Sequence, residues 1–182
     1  MGATMEISLP PMHPAQKEVF DGMARFTVLL AGRRWGKTLF GVGMGFYYAL
    51  QGGRVWWVAP TYALAKTGWR SAKHLAEQVP GSNVNNSERS IILPGGGEIQ
   101  IRTGKDPVLL RSEGLDFAVL DEAAYMQEAV WVDSIRPALT DRKGRALFIS
   151  TAFGNNWFSK LYKYAYKYAR AHGGGEWGAF RY

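Results

Sequence analysis

The sequence predicts an α/β fold: a three-layer sandwich in which helices flank a mainly parallel central sheet with an added β-hairpin. Short apolar runs, typical of buried strands, alternate along the chain with segments of helical periodicity. Strands that alternate with helices imply parallel strands joined by right-handed crossovers. The length of 182 residues suits one sizeable core and is short for two full domains.

The first helix, residues 15–25, follows the proline-rich stretch Pro10–Pro14 and places its apolar residues on one side. Further helices are predicted at 38–50, 62–79, 128–139 and 156–172, and Pro137 disturbs the third of these. Strands are predicted at 26–31, 55–60, 116–121 and 145–151, and a strand begins again near residue 176. Residues 89–93 and 98–102 flank Pro94–Gly97 as a β-hairpin, after a loop at 80–86.

Composition limits the class of protein. The net charge is +7 at pH 7, a basic surplus that favours a polyanionic partner. The chain has no cysteine, so disulfides and thiolate metal sites are excluded, and its three histidines lack the spacing of metal ligands. No apolar run approaches the ~20 residues of a membrane span, and the N-terminus has no signal-peptide pattern. We therefore expect a soluble, intracellular protein with no membrane contact.

Residues 26–38 form the central motif: an apolar run, a turn with two glycines, and Lys37-Thr38 at the start of a helical pattern. Backbone N–H groups at the start of a helix can surround a phosphate, and here they come from Gly32, Arg33, Arg34, Trp35, Gly36, Lys37 and Thr38. Lys37 would reach the β- and γ-phosphates of a nucleotide, and the Thr38 hydroxyl would hold Mg²⁺. The strict pattern G-x-x-x-x-G-K-[ST] has glycine where this chain has Ala31, a change that strand-like backbone tolerates.

A Gly-Lys-Thr triplet can also occur by chance in a surface turn, so a second motif matters. The apolar run after Asp116 ends in Asp121 and Glu122. Asp121 at the end of the strand can hold Mg²⁺ through its water shell, and Glu122 can orient or deprotonate the attacking water. Paired acids also end ordinary strands, but their order after Lys37-Thr38 favours the catalytic interpretation.

Other positions keep two interpretations. Gln16 is either an adenine reader or a solvated helix residue. Ser150 and Thr151 either sense the γ-phosphate or cap the next helix. The aromatic and basic helix at 156–172 is either a helix that packs on two surfaces or a nucleic-acid contact through its lysines.

These motifs resemble the ATPase domain of the large terminase subunit, the DNA-packaging motor of tailed bacteriophages, over essentially the whole chain. Residues 32–38 are similar to the family's phosphate loop, which carries an arginine at the position of Arg33. Residues 121–124 are similar to its Mg²⁺ and catalytic-glutamate motif, Ser150-Thr151 occupies its coupling motif, and Gln16 corresponds to its adenine-side glutamine. The resemblance implies a P-loop NTPase fold with ATP and Mg²⁺ as cofactors.

The resemblance also implies an arginine finger. Residues 110–117 are similar to the family segment whose arginine acts on the ATP of the neighbouring subunit, and this arginine maps onto Arg111. A guanidinium against the γ-phosphate offsets charge that develops during phosphoryl transfer, an effect of ~10³–10⁵ in rate in other systems. An internal ion pair with Glu113 or Asp116 is the other interpretation of Arg111.

The family resemblance further implies domain organisation and partners. Residues 1–172 are assigned to the ATPase domain, and residues 173–182 to a linker and the start of a C-terminal nuclease domain. The sequence shows no later acidic cluster for two metal ions, so we expect no nuclease activity from it. The expected setting is the host-cell cytoplasm, with double-stranded DNA, further copies in a ring, the portal protein and the small terminase subunit as partners.

Two competing functions remain at this stage. One is a helicase-like ATPase, although a helicase needs a second motor lobe for which the chain has no room. The other is a nucleic-acid-binding module with a vestigial nucleotide site, which explains the basic charge equally well. Retention of Glu122 beside Lys37-Thr38 argues against a vestigial site.

Overall fold

The computed structural model describes residue 7 and residues 9–105 and 114–182. Its helices are α1 (Pro14–Asp21), α2 (Lys37–Leu50), α3 (Tyr62–Glu77), α4 (Arg136–Thr140) and α5 (Trp157–His172). Its strands are β1 (Phe26–Leu30), β2 (Arg54–Ala59), β3 (Asn83–Asn85), β4 (Ser90–Ile92), β5 (Glu98–Thr103), β6 (Phe117–Asp121), β7 (Arg145–Ser150) and β8 (Trp177–Arg181). Within these ranges, every helix is too short or too polar to cross a bilayer.

The described strands form one sheet in the order β3-β4-β5-β2-β6-β7-β1-β8. Neighbours from β5 to β8 pair in parallel, whereas β3 with β4 and β4 with β5 are antiparallel. Strands β1 and β6 consist wholly of buried residues, as expected for strands covered by helices on both faces. The predicted α/β class with a mainly parallel sheet is confirmed.

Alternate residues of the central strands face opposite helical layers, because side chains alternate across a strand. One face packs against α1, α2 and α3 and includes Leu29, Trp57, Val119 and Ile149. The other face packs against residues 130–139 and α5 and includes Val28, Val58, Leu120 and Phe148. The sheet therefore has a hydrophobic core on each side.

The hairpin region differs from its prediction in two ways. Strands β4 and β5 do pair around residues 93–97, but β5 is also parallel to β2 and so belongs to the main sheet. Strand β3 lies inside the predicted loop 80–86 and pairs with β4. Its sequence Asn83-Val84-Asn85 carries no strand pattern of its own, so backbone pairing to β4 defines it.

The C-terminal segment corrects the predicted division at residues 172 and 173. Strand β8 pairs in parallel with β1 over its whole length, from Phe26 opposite Trp177 to Leu30 opposite Arg181. Trp177 is buried and packs against Phe26 and Phe148. Residues 177–181 are thus a strand of the central sheet rather than a linker, because they complete the hydrogen bonding of β1.

The helical region near Pro137 is continuous but irregular. A π-helical segment, Val130–Ile135, leads directly into α4, and Pro137 lies in the first turn of α4. Proline lacks the N–H that an α-helix interior requires, and the wider π turns precede it. The predicted disturbance is therefore a change of helix type rather than an end to the helix.

Candidate nucleotide-binding site

Three adjacent strands bring the predicted motifs to one edge of the sheet. Strand β7 lies between β6 and β1, with Asp121 opposite Ile149 and Leu30 opposite Ser150. All three are parallel, so their carboxyl ends meet at the same edge, where open α/β sheets bind ligands. The loop after β1, the acids that end β6 and the hydroxyls that end β7 are therefore neighbours.

The loop between β1 and α2 has the backbone that an anion-binding turn needs. Gly36 has φ 87° and Arg34 has φ 65°, both left-handed, and α2 begins at Lys37. A Cβ on Gly36 would also lie 2.8 Å from Nε2 of Gln16, so this position requires glycine. Ala31 continues the strand, because its N–H donates to the Ser150 carbonyl at 3.2 Å. Alanine therefore fits at position 31.

Lys37 lies inside the loop. Its Nζ donates to the carbonyls of Ala31 at 3.0 Å and Gly32 at 2.8 Å, and the residue is only 7% exposed. Burial lowers the pKa of Lys37, while the nearby carboxylates of Glu122 and Asp121 raise it. The lysine charge is thus positioned between the loop backbone and the acids.

Asp121 and Glu122 occupy different environments. Asp121 is buried at the end of β6, and burial followed by the charge of Glu122 raises its pKa to about 7. Hydrogen bonding to the Glu122 backbone and the charge of Lys37 act in the opposite direction. Glu122 has φ 51° and ψ 44°, a left-handed conformation that is uncommon for a non-glycine residue. Such strained residues concentrate at functional sites.

Ser150 links the two strand ends. Its hydroxyl is fully buried, accepts the N–H of Ala124 at 3.3 Å and donates to Oε2 of Glu122 at 3.3 Å. Ser150 therefore fixes the Glu122 side chain from β7, while Thr151 next to it reaches the surface of the cleft. Neither residue caps α5, whose N-cap is Asn156.

A cleft of about 680 Å³ opens over these residues. The predicted residues that line it are Arg33, Arg34, Gly36, Lys37, Thr38, Glu122 and Thr151. It also includes residues that the sequence analysis missed: Leu39, Leu64, Thr67, Ser71 and Tyr125. Leu64, Thr67 and Ser71 repeat at helical spacing along α3, and that spacing is the only sequence signal that could have indicated them.

Gln16 and Trp35 contact the loop or its neighbours and do not line the cleft. The Gln16 amide nitrogen donates to the carbonyls of Trp35 and Gly36, both at 3.4 Å, and its oxygen accepts the N–H of His13 at 3.2 Å. The Trp35 ring stacks on Tyr182 at 5.4 Å, so its side chain packs with the protein rather than lining the cleft. Arg111 lies outside the described residues.

The fold is that of an α/β domain of the P-loop NTPase class. No protein-family model matches the chain. Two curated relatives are large terminase subunits. That of Thermus virus P23-45 is 30% identical over 172 residues, covering 82% of this chain and 36% of the relative. The large terminase subunit of Escherichia phage T5 is 31% identical over 152 residues, covering 80% of this chain and 34% of that relative.

One solved structure matches most of this chain. The large terminase ATPase domain of Thermus phage P74-26 is 30% identical, with a TM-score of 0.70, and the match covers 84% of this chain and 69% of that domain. The chain belongs to the large terminase subunit family of phages. It spans about a third of the length of the curated relatives that it matches.

Proposed function

We propose that the chain is a Mg²⁺-dependent ATPase that powers the translocation of double-stranded viral DNA into a procapsid. One observation carries the proposal: the strained Glu122 lies beside Asp121 and Ser150 and lines the same cleft as Lys37. Family membership supports it, since the related P74-26 domain is named an ATPase domain.

Binding of the triphosphate falls to the loop and α2. The N–H groups at the start of α2 and the Lys37 ammonium together offer a positive site for phosphate oxygens. Arg33 and Arg34 are exposed on the cleft and can add charge on its open side. Gln16 is the proposed adenine-side residue. Its hydrogen bonds to the loop carbonyls would couple recognition of the base to the conformation of the loop.

Glu122 is the proposed general base. It lines the cleft and its carboxylate is held by Ser150, so it can accept a proton from a water molecule directed at the γ-phosphate. Thr151, next to Ser150, is exposed to the same cleft, and the two form the proposed coupling element. A base of this kind typically contributes ~10²–10⁴ in rate.

The donor set fits Mg²⁺. Thr38 offers a hydroxyl on the cleft, and Asp121 offers a buried carboxylate whose pKa is raised mainly by burial, an effect that Lys37 and the Glu122 backbone offset only in part. Mg²⁺ prefers a few such oxygens together with water and phosphate, so the absence of three clustered ligand side chains among the described residues is compatible with it. A bound Mg²⁺ would neutralise charge that develops on the phosphates.

The remaining roles follow from the family. Arg111 is the proposed arginine finger, acting on the nucleotide of a neighbouring copy in a ring, with Arg33 as the alternative acting within its own chain. The portal protein, the small terminase subunit and the host cytoplasm are the proposed partners and setting. A nuclease domain following this region is part of the same proposal.

Steady-state release of phosphate from ATP tests this function. We expect turnover that requires Mg²⁺ and is lost in Lys37→Ala, while Lys66→Ala, a change of an exposed lysine on α3, leaves it intact. Turnover per chain that rises with protein concentration would support an arginine acting in trans. Absence of turnover above the Lys37→Ala blank at every concentration would contradict the proposal and favour a binding module with a vestigial nucleotide site.

A further inference from the structure

The positive charge of the chain is concentrated on α5. This helix carries Lys160, Lys163, Lys167 and Arg170 and no acidic residue, giving it a net charge of +4. The whole chain has a net charge of +7, so more than half of the surplus lies on sixteen residues. Helix α3, also rich in basic residues, contains Glu77, which pairs with His74 at 3.5 Å.

The four cations of α5 form a single line, defined here as the α5 stripe. At 100° per residue they fall within an arc of about 80°, and they extend over about 15 Å of helix. All four are exposed, and none has an ion-pair partner among the residues that the structure describes. The buried residues Phe158 and Ala165 lie on the opposite side of the helix, so the stripe faces away from the core.

The stripe is held rigidly. Asn156 and Ser159 form a capping box at the start of α5, and Gly173 ends the helix in a left-handed conformation. The Trp157 indole N–H donates to the Met126 carbonyl at 2.7 Å, which fixes the first turn to the segment after Glu122. A ligand of the stripe therefore meets an ordered backbone, which lowers the entropic cost of binding.

The aromatic residues of α5 indicate which polyanion fits. Tyr162 stacks on Tyr166 at 6.2 Å, and the Arg170 guanidinium lies over Tyr166 at 5.7 Å. Both rings therefore have contacts within the helix, whereas proteins that bind single strands use free aromatic faces to stack bases. The straight row of cations suits the phosphates of a duplex, and its 15 Å corresponds to about four base pairs, although Tyr164 and Tyr166 on the same helix are exposed.

We propose that the α5 stripe is the surface through which the chain contacts the backbone of double-stranded DNA. The choice of duplex DNA rests on the proposed packaging function, whereas the surface itself rests on the charge and geometry of α5. The contact carries no sequence information, because lysines on a helix face that touch only phosphates position a protein without reading bases.

A binding experiment with the full chain tests this surface. Fluorescence anisotropy measures its affinity for a labelled duplex of about three helical turns across a salt series. The test variant is Lys163→Gln/Lys167→Gln. The matched control is Lys66→Gln/Arg70→Gln, which removes the same charge from exposed positions on α3. Thermal melting of both variants confirms that they are folded.

We expect the α5 variant to bind at least ~10-fold more weakly, with the slope of log K against log salt reduced by about 2. The control should stay within about twofold of the wild type, because its cations lie on another face. Equal weakening by both variants, no effect of the α5 variant, or tighter stripe-dependent binding of a single strand would each overturn the proposal.

ATP turnover on the same preparations separates this inference from the function on which it rests. If the chain hydrolyses ATP but the α5 variant binds duplex DNA as well as the wild type does, the proposed DNA-binding surface is wrong and the proposed ATPase function is retained. If the α5 variant binds duplex DNA more weakly but the chain does not hydrolyse ATP, the proposed surface is supported and the proposed ATPase function is contradicted.

Discussion

Glu122 is held in a backbone conformation that favours glycine. Its φ of 51° and ψ of 44° place it in the left-handed region, which costs a residue with a Cβ about 1 kcal/mol or more. The turn sends the chain from β6 into the 3₁₀ turn Ala123–Tyr125 while the Glu122 side chain reaches Ser150 and the cleft. The strained backbone at the proposed general base therefore lowers the free energy of unfolding of the protein.

This strain leads to a prediction for a pair of inactive variants. Glu122→Gly and Glu122→Ala both lose the carboxylate, so both should lose ATP turnover. We expect Glu122→Gly to be more stable than Glu122→Ala by about 1 kcal/mol, because only alanine retains the Cβ penalty at this φ. Urea unfolding measures the difference, and an alanine variant as stable as the glycine variant would show that the turn is not strained.

Asp121 gives a prediction for pH dependence. Burial and Glu122 raise its pKa from 3.8 to about 7, so between these values the folded state binds more protons than the unfolded state. Stability in EDTA should therefore fall as pH rises from about 4 to 7, and Asp121→Asn should remove most of that fall. At pH 8 we expect the melting temperature of this variant to exceed that of the wild type by several degrees, at ~2–4 °C per kcal/mol.

One result for Asp121→Asn would contradict this prediction. A variant that melts below the wild type at pH 8 in EDTA would mean that the carboxylate is stabilised by the protein alone. Its proposed role as a charge compensated by Mg²⁺ would then lose its support.

Ser150 holds the side chain of the proposed general base through a hydrogen bond. Ser150→Ala removes the hydroxyl that holds Glu122 and leaves the buried N–H of Ala124 without its acceptor, at a cost of about 1–3 kcal/mol in stability. We expect kcat to fall at least ~10-fold with little change in nucleotide affinity, since Ser150 acts through Glu122. Thr27→Val is the matched control. It removes a buried hydroxyl on β1 that donates to the Ala24 carbonyl, and it should leave kcat unchanged. A similar fall in kcat for both variants would contradict a positioning role for Ser150.

At the scale of elements, β8 joins the C-terminal residues to the phosphate loop. It covers the edge of β1, and beyond it the Tyr182 carbonyl accepts the Gly32 N–H at 3.1 Å. The Tyr182 ring stacks on Trp35, and its hydroxyl donates to Glu18 of α1 at 2.8 Å. The shape of the loop therefore depends on a strand that comes last in the chain.

Removal of residues 173–182 should for this reason damage the domain rather than trim a linker. We expect a loss of several kcal/mol in the free energy of unfolding, since deletion of one buried tryptophan side chain such as Trp177 typically costs ~3–5 kcal/mol. Chemical unfolding of residues 1–172 beside the full chain measures this, with Arg181→Ala as an exposed control. Equal stability of the shortened and full chains would show that β8 is dispensable.

The elements with strong periodicity were predictable from the sequence, and the weak ones were not. Helices α2 and α5 and strands β1, β2, β6 and β7 lie where their apolar patterns place them. Strand β3 was missed because three residues around Val84 carry no pattern and depend on pairing with β4. The role of β8 was missed because a strand at the end of a chain does not reveal which neighbour it pairs with.

The position of part of the site was predictable in the same way. Residues next to one another in a motif, such as Lys37-Thr38 and Asp121-Glu122, could be placed together from spacing and order alone, and their roles in binding and catalysis stay predictions. The cleft residues Leu64, Thr67 and Ser71 could not, because α3 approaches the loop only through tertiary packing. Packing also determines that the Trp35 ring points away from the cleft, toward Tyr182.

At the scale of the whole molecule, one sheet separates two surfaces with different proposed roles. The proposed nucleotide cleft lies at the carboxyl edge of the strands, beside α2 and α3. The α5 stripe lies on the helical layer of the opposite face, where α5 packs with β1 and β8. Hydrogen bonds from the side chains of Asn156 and Trp157 to backbone carbonyls after Glu122 connect these two regions.

Nucleotide affinity and ATP turnover, measured together in Glu122→Gln, test the proposed mechanism. We expect turnover to fall by ~10²–10⁴ while affinity for ATP with Mg²⁺ stays within about threefold of the wild type, since a general base acts on the water and not on binding. Glu128→Gln, an exposed acid on the same segment, should retain both. Turnover at the wild-type rate in Glu122→Gln would contradict the assignment of Glu122 and, with it, the mechanism proposed for this cleft.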